Sequence, residues 1–450
     1  MEKLRWYRML DTVKNAFKVK EIRNKLFFTF VALLVVRLGC ALPVPGIRHD
    51  LFQGWLASKD GLGFLDTLTG GSFSQLSIFA LNISPYSTAS IIMQLLTIVF
   101  PKLEELQKDG ASGQKKIAEY SRYLTIALAV IESIALVIGF SNSSYLDGGM
   151  KFSNIVIITL SFTAGSAFLM WLGEQITEKG IGNGISIILL INIVASMPND
   201  FHNLIQKFVI NPTAVVNKVL GAIGIVVVVV AIVVLVILLQ DAQRKIPVQY
   251  AQKVQGRKMV GGRGSFIPLK VNTANVIPVI FAMSLLQTPV IIMSFMGITP
   301  ARAHFWPKVA YLLSSQYWFN FSSWGEFKYT LGALIYIALL VVFAYFYTSI
   351  TFNPMEVANN MKKQGGFIPG IRPGRPTTEF LTRILNYIIF IGAVGLIIVS
   401  LVPIVLAGAT GVRVSFGGTS IIIVVSVILE TLKQIDSMLL VRQYKGFLND

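Results

Sequence analysis

The residues best suited to nucleophilic, acid–base or metal chemistry are few and scattered. His49, His202 and His304 lie far apart, and Cys40 is the single cysteine, so no intrachain disulfide is possible. No H-E-x-x-H, C-x-x-C, G-x-S-x-G or Walker A pattern occurs. The sequence therefore predicts a chain that is not an enzyme, holds no metal or cofactor, and has no nucleotide site of its own. Its distinctive residues do physical work instead. Asn82-Ile83-Ser84-Pro85 and Asn275-Val276-Ile277-Pro278 both read N-x-x-P near the start of an apolar run, 193 residues apart. Gly184-Ile185-Ser186-Ile187-Ile188 and Gly418-Thr419-Ser420-Ile421-Ile422 both read G-x-S-I-I, 234 residues apart. Proline cannot donate the i to i−4 bond, so Pro85 and Pro278 kink or start a helix. Lipid tolerates such breaks only where they face a cavity or are covered by protein. The breaks are flanked mainly by Ile, Leu, Val, Ser and Thr. An ion or solute transporter would need polar or charged groups there. An aliphatic constriction excludes water and ions by dewetting yet can yield to a bulky chain, which favours a gate over a binding site.

Helices in a bilayer must position these breaks. Of the 450 residues 54% are hydrophobic and 14% charged, with a mean hydropathy of +0.67, against about 25% charged in a soluble protein. This excludes a soluble enzyme, a disordered chain and a coiled coil, and disfavours an outer-membrane barrel. Ten runs are long or apolar enough for spans of about 20 residues: 24–43, 76–100, 120–140, 152–173, 182–197, 214–240, 272–297, 327–350, 382–407 and 417–440. The fifth and tenth are weakest. With a cytoplasmic N-terminus, and with basic residues near a span's end counted with the adjoining loop, 29 Lys and Arg fall on the cytoplasmic side and 9 on the other, with Arg37 inside the first span. The positive-inside rule then puts both termini in the cytoplasm, and the net charge of +17 faces anionic lipid and cytoplasmic partners. A basic region of about 25 residues before the first run, and Arg37 within it, argue against a cleaved signal peptide.

Ten spans divide into halves of five, 1–200 and 201–450. Five is odd, so matching halves are inverted, and spans two, five, seven and ten line the centre. Residues 61–73, bracketed by glycines, are too short and polar to span; they suit a re-entrant half-helix or an external surface helix. Two cytoplasmic loops exceed simple connectors. In 240–270 an alternation around Ile246, Val248 and Tyr250 predicts a β-hairpin. In 353–383, Pro369-Gly370-Ile371-Arg372-Pro373-Gly374 fixes a turn presenting Arg372. Both suit docking of an acidic or RNA-bearing partner. Arg37 has no assigned role beyond structural pairing.

The residues resemble the SecY family, the central subunit of the bacterial protein translocase. The likeness rests on Phe79-Ala80-Leu81 with Pro85-Tyr86 and Ala89-Ser90-Ile91-Ile92, on Gly180-Ile181-Gly182-Asn183-Gly184-Ile185-Ser186, on Pro268-Leu269-Lys270-Val271-Asn272, on the Pro369–Gly374 turn, and on Phe416-Gly417-Gly418-Thr419-Ser420. It covers essentially the whole chain. It implies an all-α polytopic membrane protein of ten transmembrane helices, in two inverted five-helix halves around an hourglass pore with a re-entrant plug helix. The implied function is a protein-conducting channel that passes unfolded secretory proteins across the bacterial cytoplasmic membrane and releases transmembrane segments sideways into it. The implied pore ring is Ile83, Ser87, Ile185, Leu189, Ile280 and Ile423; Ser87 stands where the family often has Ile, so the plug carries more of the seal. The repeat offsets map Ser87 onto Ile280 and Leu189 onto Ile423. The plug would lie at about 61–75, with Gly63, Phe64, Leu65, Leu68, Gly70, Gly71 and Phe73. A lateral gate would carry Thr88, Glu132 and Ser284, and Arg257, Lys258 and Arg372 would dock partners. Implied partners are SecE, SecG, the SecA motor ATPase, a translating ribosome, signal sequences with unfolded preproteins, and anionic lipids. The remaining alternatives, a secondary transporter or an intramembrane protease, would need a polar midplane site or a catalytic group within the spans.

Overall fold

The computed structural model describes residues 14–48, 66, 69–141, 151–205, 215–250, 253–255, 258–260, 265–295, 304–314, 318–319, 330–410 and 418–448. Each expected span contains a helix. They are α1 (Lys20–Cys40), α2 (Ser84–Val99), with α3 (Pro101–Lys108) following, α4 (Ala111–Ser141), α5 (Phe152–Lys179), α6 (Gly184–Ile205), α7 (Val215–Asp241), α8 (Ile277–Phe295), then α9 (Phe305–Leu313), α10 (Leu331–Thr351), α11 (Pro354–Lys363), α12 (Arg375–Thr410) and α13 (Gly418–Leu448). The chain is a mostly helical, multi-pass membrane protein. Among the described residues four stretches are long and apolar enough to cross a bilayer unaided: Ser112–Ile138, Phe152–Lys179, Leu331–Lys363 and Arg375–Val405. A fifth forms if Ser84–Val99 and Pro101–Gln107, bent by 107°, count as one. The apolar stretches Gly184–Pro198, Val227–Asp241 and Ile277–Val290 are shorter. The shortfall has local causes. Arg23, Lys25 and Arg37 interrupt α1, and the runs expected at 76–100 and 272–297 become helical only at Ser84 and Ile277.

The helices and loops sort into two compact units. The first comprises Met1–Asn203, Val290–Ala310 and Val427–Asp450; the second comprises Leu204–Pro289 and Tyr311–Ser426. In the first, α4 and α5 lie together, tied by Arg122 Nε to Glu174 Oε1 at 2.8 Å and by a 3.4 Å contact between the Ser133 and Thr163 hydroxyls. Their inner faces (Ala129, Leu136, Val137, Ile158 and Phe162) enclose Phe73, Leu76, Ala80 and Leu81 from the irregular chain before α2. That chain is also stitched to the segment after α1, where Val44 N donates to Leu76 O and Ile78 N to Leu42 O. Apolar side chains buried on both sides let this non-helical backbone run beneath the surface with most of its amides paired in turns.

The second unit carries the predicted hairpin. Strand β1 (Gln243–Tyr250) pairs antiparallel with β4 (Ser265–Lys270), Ile246 opposite Ile267. Between them β2 (Lys253–Gln255) pairs with β3 (Lys258–Val260). Strand β5 (Gly366–Phe367) adds to the other edge of β1, giving the order β4-β1-β5. Ile246, Val248 and Leu269 alternate inward, as period-2 patterning requires, and pack with Ala358 and Met361 of α11, Ile368, and Leu381, Ile384 and Ile388 of α12.

Candidate functional site

The two N-x-x-P sequences form two breaks of one design. Each proline falls in the first turn of its helix, Pro85 in α2 and Pro278 in α8, where its missing N–H leaves no bond unmade. Both prolines therefore start helices rather than kink them. Each asparagine has a positive φ, 51° at Asn82 and 57° at Asn275. Asparagine tolerates this left-handed region better than other residues bearing a side chain.

What the sequence did not signal is the use of those side chains. Asn192 Nδ2, from α6, donates to Asn82 Oδ1 at 3.2 Å, and Ser166 Oγ, from α5, donates to the Asn82 carbonyl at 3.2 Å. Asn82 and Asn192 are 3% and 1% exposed. In the second unit Gln240 Nε2, near the end of α7, donates to Asn275 Oδ1 at 2.9 Å and to Ser426 Oγ of α13 at 2.7 Å. Asn272 Nδ2 donates to the Asn275 carbonyl at 3.0 Å. The offsets of 193 and 234 residues carry Asn82 onto Asn275 and Asn192 onto Ser426. The breaks thus carry amides where the sequence predicts mainly aliphatic surroundings. These amides bond to one another and to hydroxyls, so they do not form a charged midplane site.

The expected ring residues lie close along the chain to these bonded groups. Ile83 directly follows Asn82 and is fully buried, and Ser87, half-buried, sits one turn above it, its N–H on the Ile83 carbonyl. Ile185, Leu189 and Asn192 recur at helical spacing on one face of α6; Ile185 also reaches α5, its Cδ1 2.6 Å from where a Cβ on Gly173 would lie. In the second unit Ile280 is half-buried, five residues after Asn275, and Ile423 is buried one turn before Ser426.

The turn Gly180–Ser186 sets the start of α6. Asn183 Oδ1 accepts the N–H groups of Ile185 and Ser186, capping the helix. Ile181 N donates to Thr29 Oγ1, Gly182 N to Gln434 Oε1 and Gly184 N to Thr177 Oγ1. The start of α6, with Ile185, is thereby tied to α1, α5 and α13.

Of the expected plug residues, Gly63, Phe64, Leu65 and Leu68 lie outside the described residues. Gly70 and Gly71 are in turn structure and Phe73 is in the buried cluster of α4 and α5. Asp66 Oδ1 accepts the Ser74 N–H at 2.8 Å, closing the segment on itself. Arg37 gains a partner here: its Nη1 donates to the Gly70 carbonyl at 3.1 Å. Gly70 has φ +64°, and a Cβ would come within 2.8 Å of Arg37 Nη1 and of the Asn192 Cα and carbonyl oxygen. Of the expected gate residues, Thr88 on α2 and Glu132 on α4 are half-buried, and Ser284 on α8 is exposed.

The family model for SecY matches residues 77–432. The chain belongs to the SecY family. Curated relatives agree along their whole length. "Protein translocase subunit SecY" of Streptomyces scabiei is 42% identical over 98% of this chain and 100% of its own, and that of Bacillus subtilis (strain 168) is 41% identical with the same coverage. A solved structure described as "The structure of a protein conducting channel" has TM-score 0.60 at 20% identity, covering 92% of this chain and 91% of its own. "Sec61 in the Canine ribosome-channel complex from the endoplasmic reticulum" gives TM-score 0.58 at 19% identity with the same coverage. These structures share the SecY fold.

The SecY-family loop Gly366–Gly374 is a built platform rather than a free connector. Ile368 is buried in the core shared by the hairpin, α11 and α12. Ile371 N closes a turn onto the Ile368 carbonyl, and Gly370 takes φ +83°. The Arg372 carbonyl accepts from Thr377 Oγ1 at 2.9 Å while the Arg372 side chain is exposed. Arg257 lies outside the described residues; Lys258 opens β3.

Proposed function

We propose that this chain is the protein-conducting subunit of a translocase in the bacterial cytoplasmic membrane, with halves 1–200 and 201–450 and both termini cytoplasmic. Unfolded secretory chains pass an aliphatic constriction to which Ile83, Ser87, Ile185 and Leu189 contribute from the first half and Ile280 and Ile423 from the second. The observation that carries this reading is the pair of breaks. Two helices start at left-handed asparagines whose side-chain and carbonyl oxygens accept hydrogen bonds, and the ring surface beside them is aliphatic except at Ser87, half-buried at Ile185, Leu189 and Ile280 and buried at Ile83 and Ile423. Such a surface resists water and ions when closed and makes no specific bond to a passing chain. Residues 61–75 serve as the plug. Apolar signal helices leave sideways past Thr88, Glu132 and Ser284. The Arg372 platform and the hairpin with Arg257 and Lys258 receive the SecA motor or the ribosome, and SecE with SecG complete the membrane complex. Anionic lipid meets the basic cytoplasmic face.

The test is crosslinking of a stalled preprotein to single cysteines at Ile83, Ile280 and Ile423, in a Cys40→Ser background with exposed loop sites as controls. Crosslinks at all three positions and none at the controls are expected; their absence at the three would remove the ring. Arg372→Glu should impair SecA-driven export while the protein still accumulates in the membrane, and wild-type export would remove the docking role.

A further inference from the structure

We propose that Asn192 and Gln240 are positioning residues of the gate. Each locks the left-handed asparagine that starts one ring-bearing helix to the helix carrying its unit's other ring residues. The inference rests on the ring reading above. In the first unit the Asn82–Asn192 bond joins the start of α2, with Ile83 and Ser87, to the α6 face bearing Ile185 and Leu189. In the second unit Gln240 joins the start of α8, with Ile280, to the α13 face bearing Ile423. The two joints connect equivalent positions by different chemistry. Two asparagines reach each other directly in one. In the other, serine stands at the position equivalent to Asn192, is too short to reach, and a glutamine from α7 donates to both ends. Preserving the connection while changing the residues is what a positional requirement looks like; incidental polar contacts would not fall at the same two repeat offsets.

The joints also explain how the constriction can be firm without specific bonds at its surface. Separating α2 from α6 breaks the bond between the buried Asn82 and Asn192 amides, and separating α8 from α13 breaks a bond of the half-buried Gln240 amide; both are unfavourable, the first more so. Asn192 Oδ1 already lacks a partner among the described residues, so loss of its Nδ2 bond would leave the whole buried amide unpaired. The first joint has an added control. Gly70 of the expected plug lies so near α6 that a Cβ on it would meet the Asn192 backbone, and its carbonyl accepts from Arg37, so a shift of this segment would be felt at the α6 joint.

The test uses the full complex in cells and in membrane vesicles. Export of a preprotein with a defective signal sequence is measured relative to one with an intact sequence, together with resting ion leak. Asn82→Gly keeps the left-handed backbone and removes the side chain that carries the Oδ1 acceptor. Asn82→Gly, Asn192→Ala and Gln240→Leu should each raise relative export of the defective preprotein by about fivefold, the order set by one lost hydrogen bond. The double variant Asn82→Gly/Asn192→Ala should be no more permissive than either single. Ser426→Asn should restore stringency in the Gln240→Leu background by remaking the direct pair of the first unit. Unchanged stringency in the singles, additive effects in the double, or no rescue by Ser426→Asn would overturn the proposal. Ile280→Asn is assayed in parallel. If it relaxes stringency and the joint variants do not, the positioning role alone fails; if it has no effect, the ring reading fails first.

Discussion

At Asn82 the side-chain groups that bond its carbonyl and Oδ1 come from later in the chain: Ser166 and Asn192 lie 84 and 110 positions on. At Asn275 the carbonyl is tied by Asn272, three positions earlier, and the side chain by Gln240, 35 positions earlier, with only Ser426 coming from far away. One backbone conformation is therefore reached by two routes. The second break can be largely set as soon as α7, the hairpin and α8 exist. The first waits for α5 and α6, and so pays more loop-closure entropy. It also depends on Arg37 and Gly70, whose contacts reach α6 beside the same amide pair. Local ties give the second break independence, whereas distant ties make the first responsive to neighbouring parts of its unit.

Substitutions can break or sharpen that contrast. Gly70→Val should have the largest effect, since it adds atoms against the Asn192 backbone at a φ of +64°. A loss of about 3 kcal/mol is expected, seen as a lower melting temperature in detergent and a raised resting ion leak; wild-type values would show that the segment does not bear on α6. Arg37→Leu removes the charged donor to the Gly70 carbonyl and should lower stability by about 2 kcal/mol, with the leak rising in step. Ser166→Ala removes the tertiary tie on the Asn82 carbonyl and should cost about 1 kcal/mol, read by the same melt and by faster amide exchange at the start of α2. Asn272→Ala should be mildest, about 0.5 kcal/mol, with faster exchange confined to the first turn of α8. If Asn272→Ala proved as damaging as Ser166→Ala, the difference between local and distant ties would have no energetic content.

The helices were legible because their signal is collective. Each of the ten apolar runs contains a helix, and the alternation around Ile246 and Val248 forms a strand in register with β4. The repeat offsets were also legible, and they hold at Asn82 and Asn275 down to the sign of φ. The polar joints were not. Asn192 and Ser426 are lone small polar residues inside aliphatic runs, and Gln240 reads as the end of a span before a basic loop. Periodicity carries no trace of such residues, because their meaning lies in a partner rather than in a pattern. Applying the two offsets to every polar residue in the runs would have paired Asn192 with Ser426. The helix starts at Ser84 and Ile277 were missed for a related reason: hydropathy does not register a left-handed residue.

The shared core beneath Arg372 has a mechanical consequence. Ile368 is clamped between the hairpin and Leu381, Ile384 and Ile388, while Thr377 grips the Arg372 carbonyl. A push at the tip cannot be absorbed by slack in the loop. It travels as through a strut into α12, a single 36-residue helix, so a motor leaning on this turn would load the bilayer-embedded body directly.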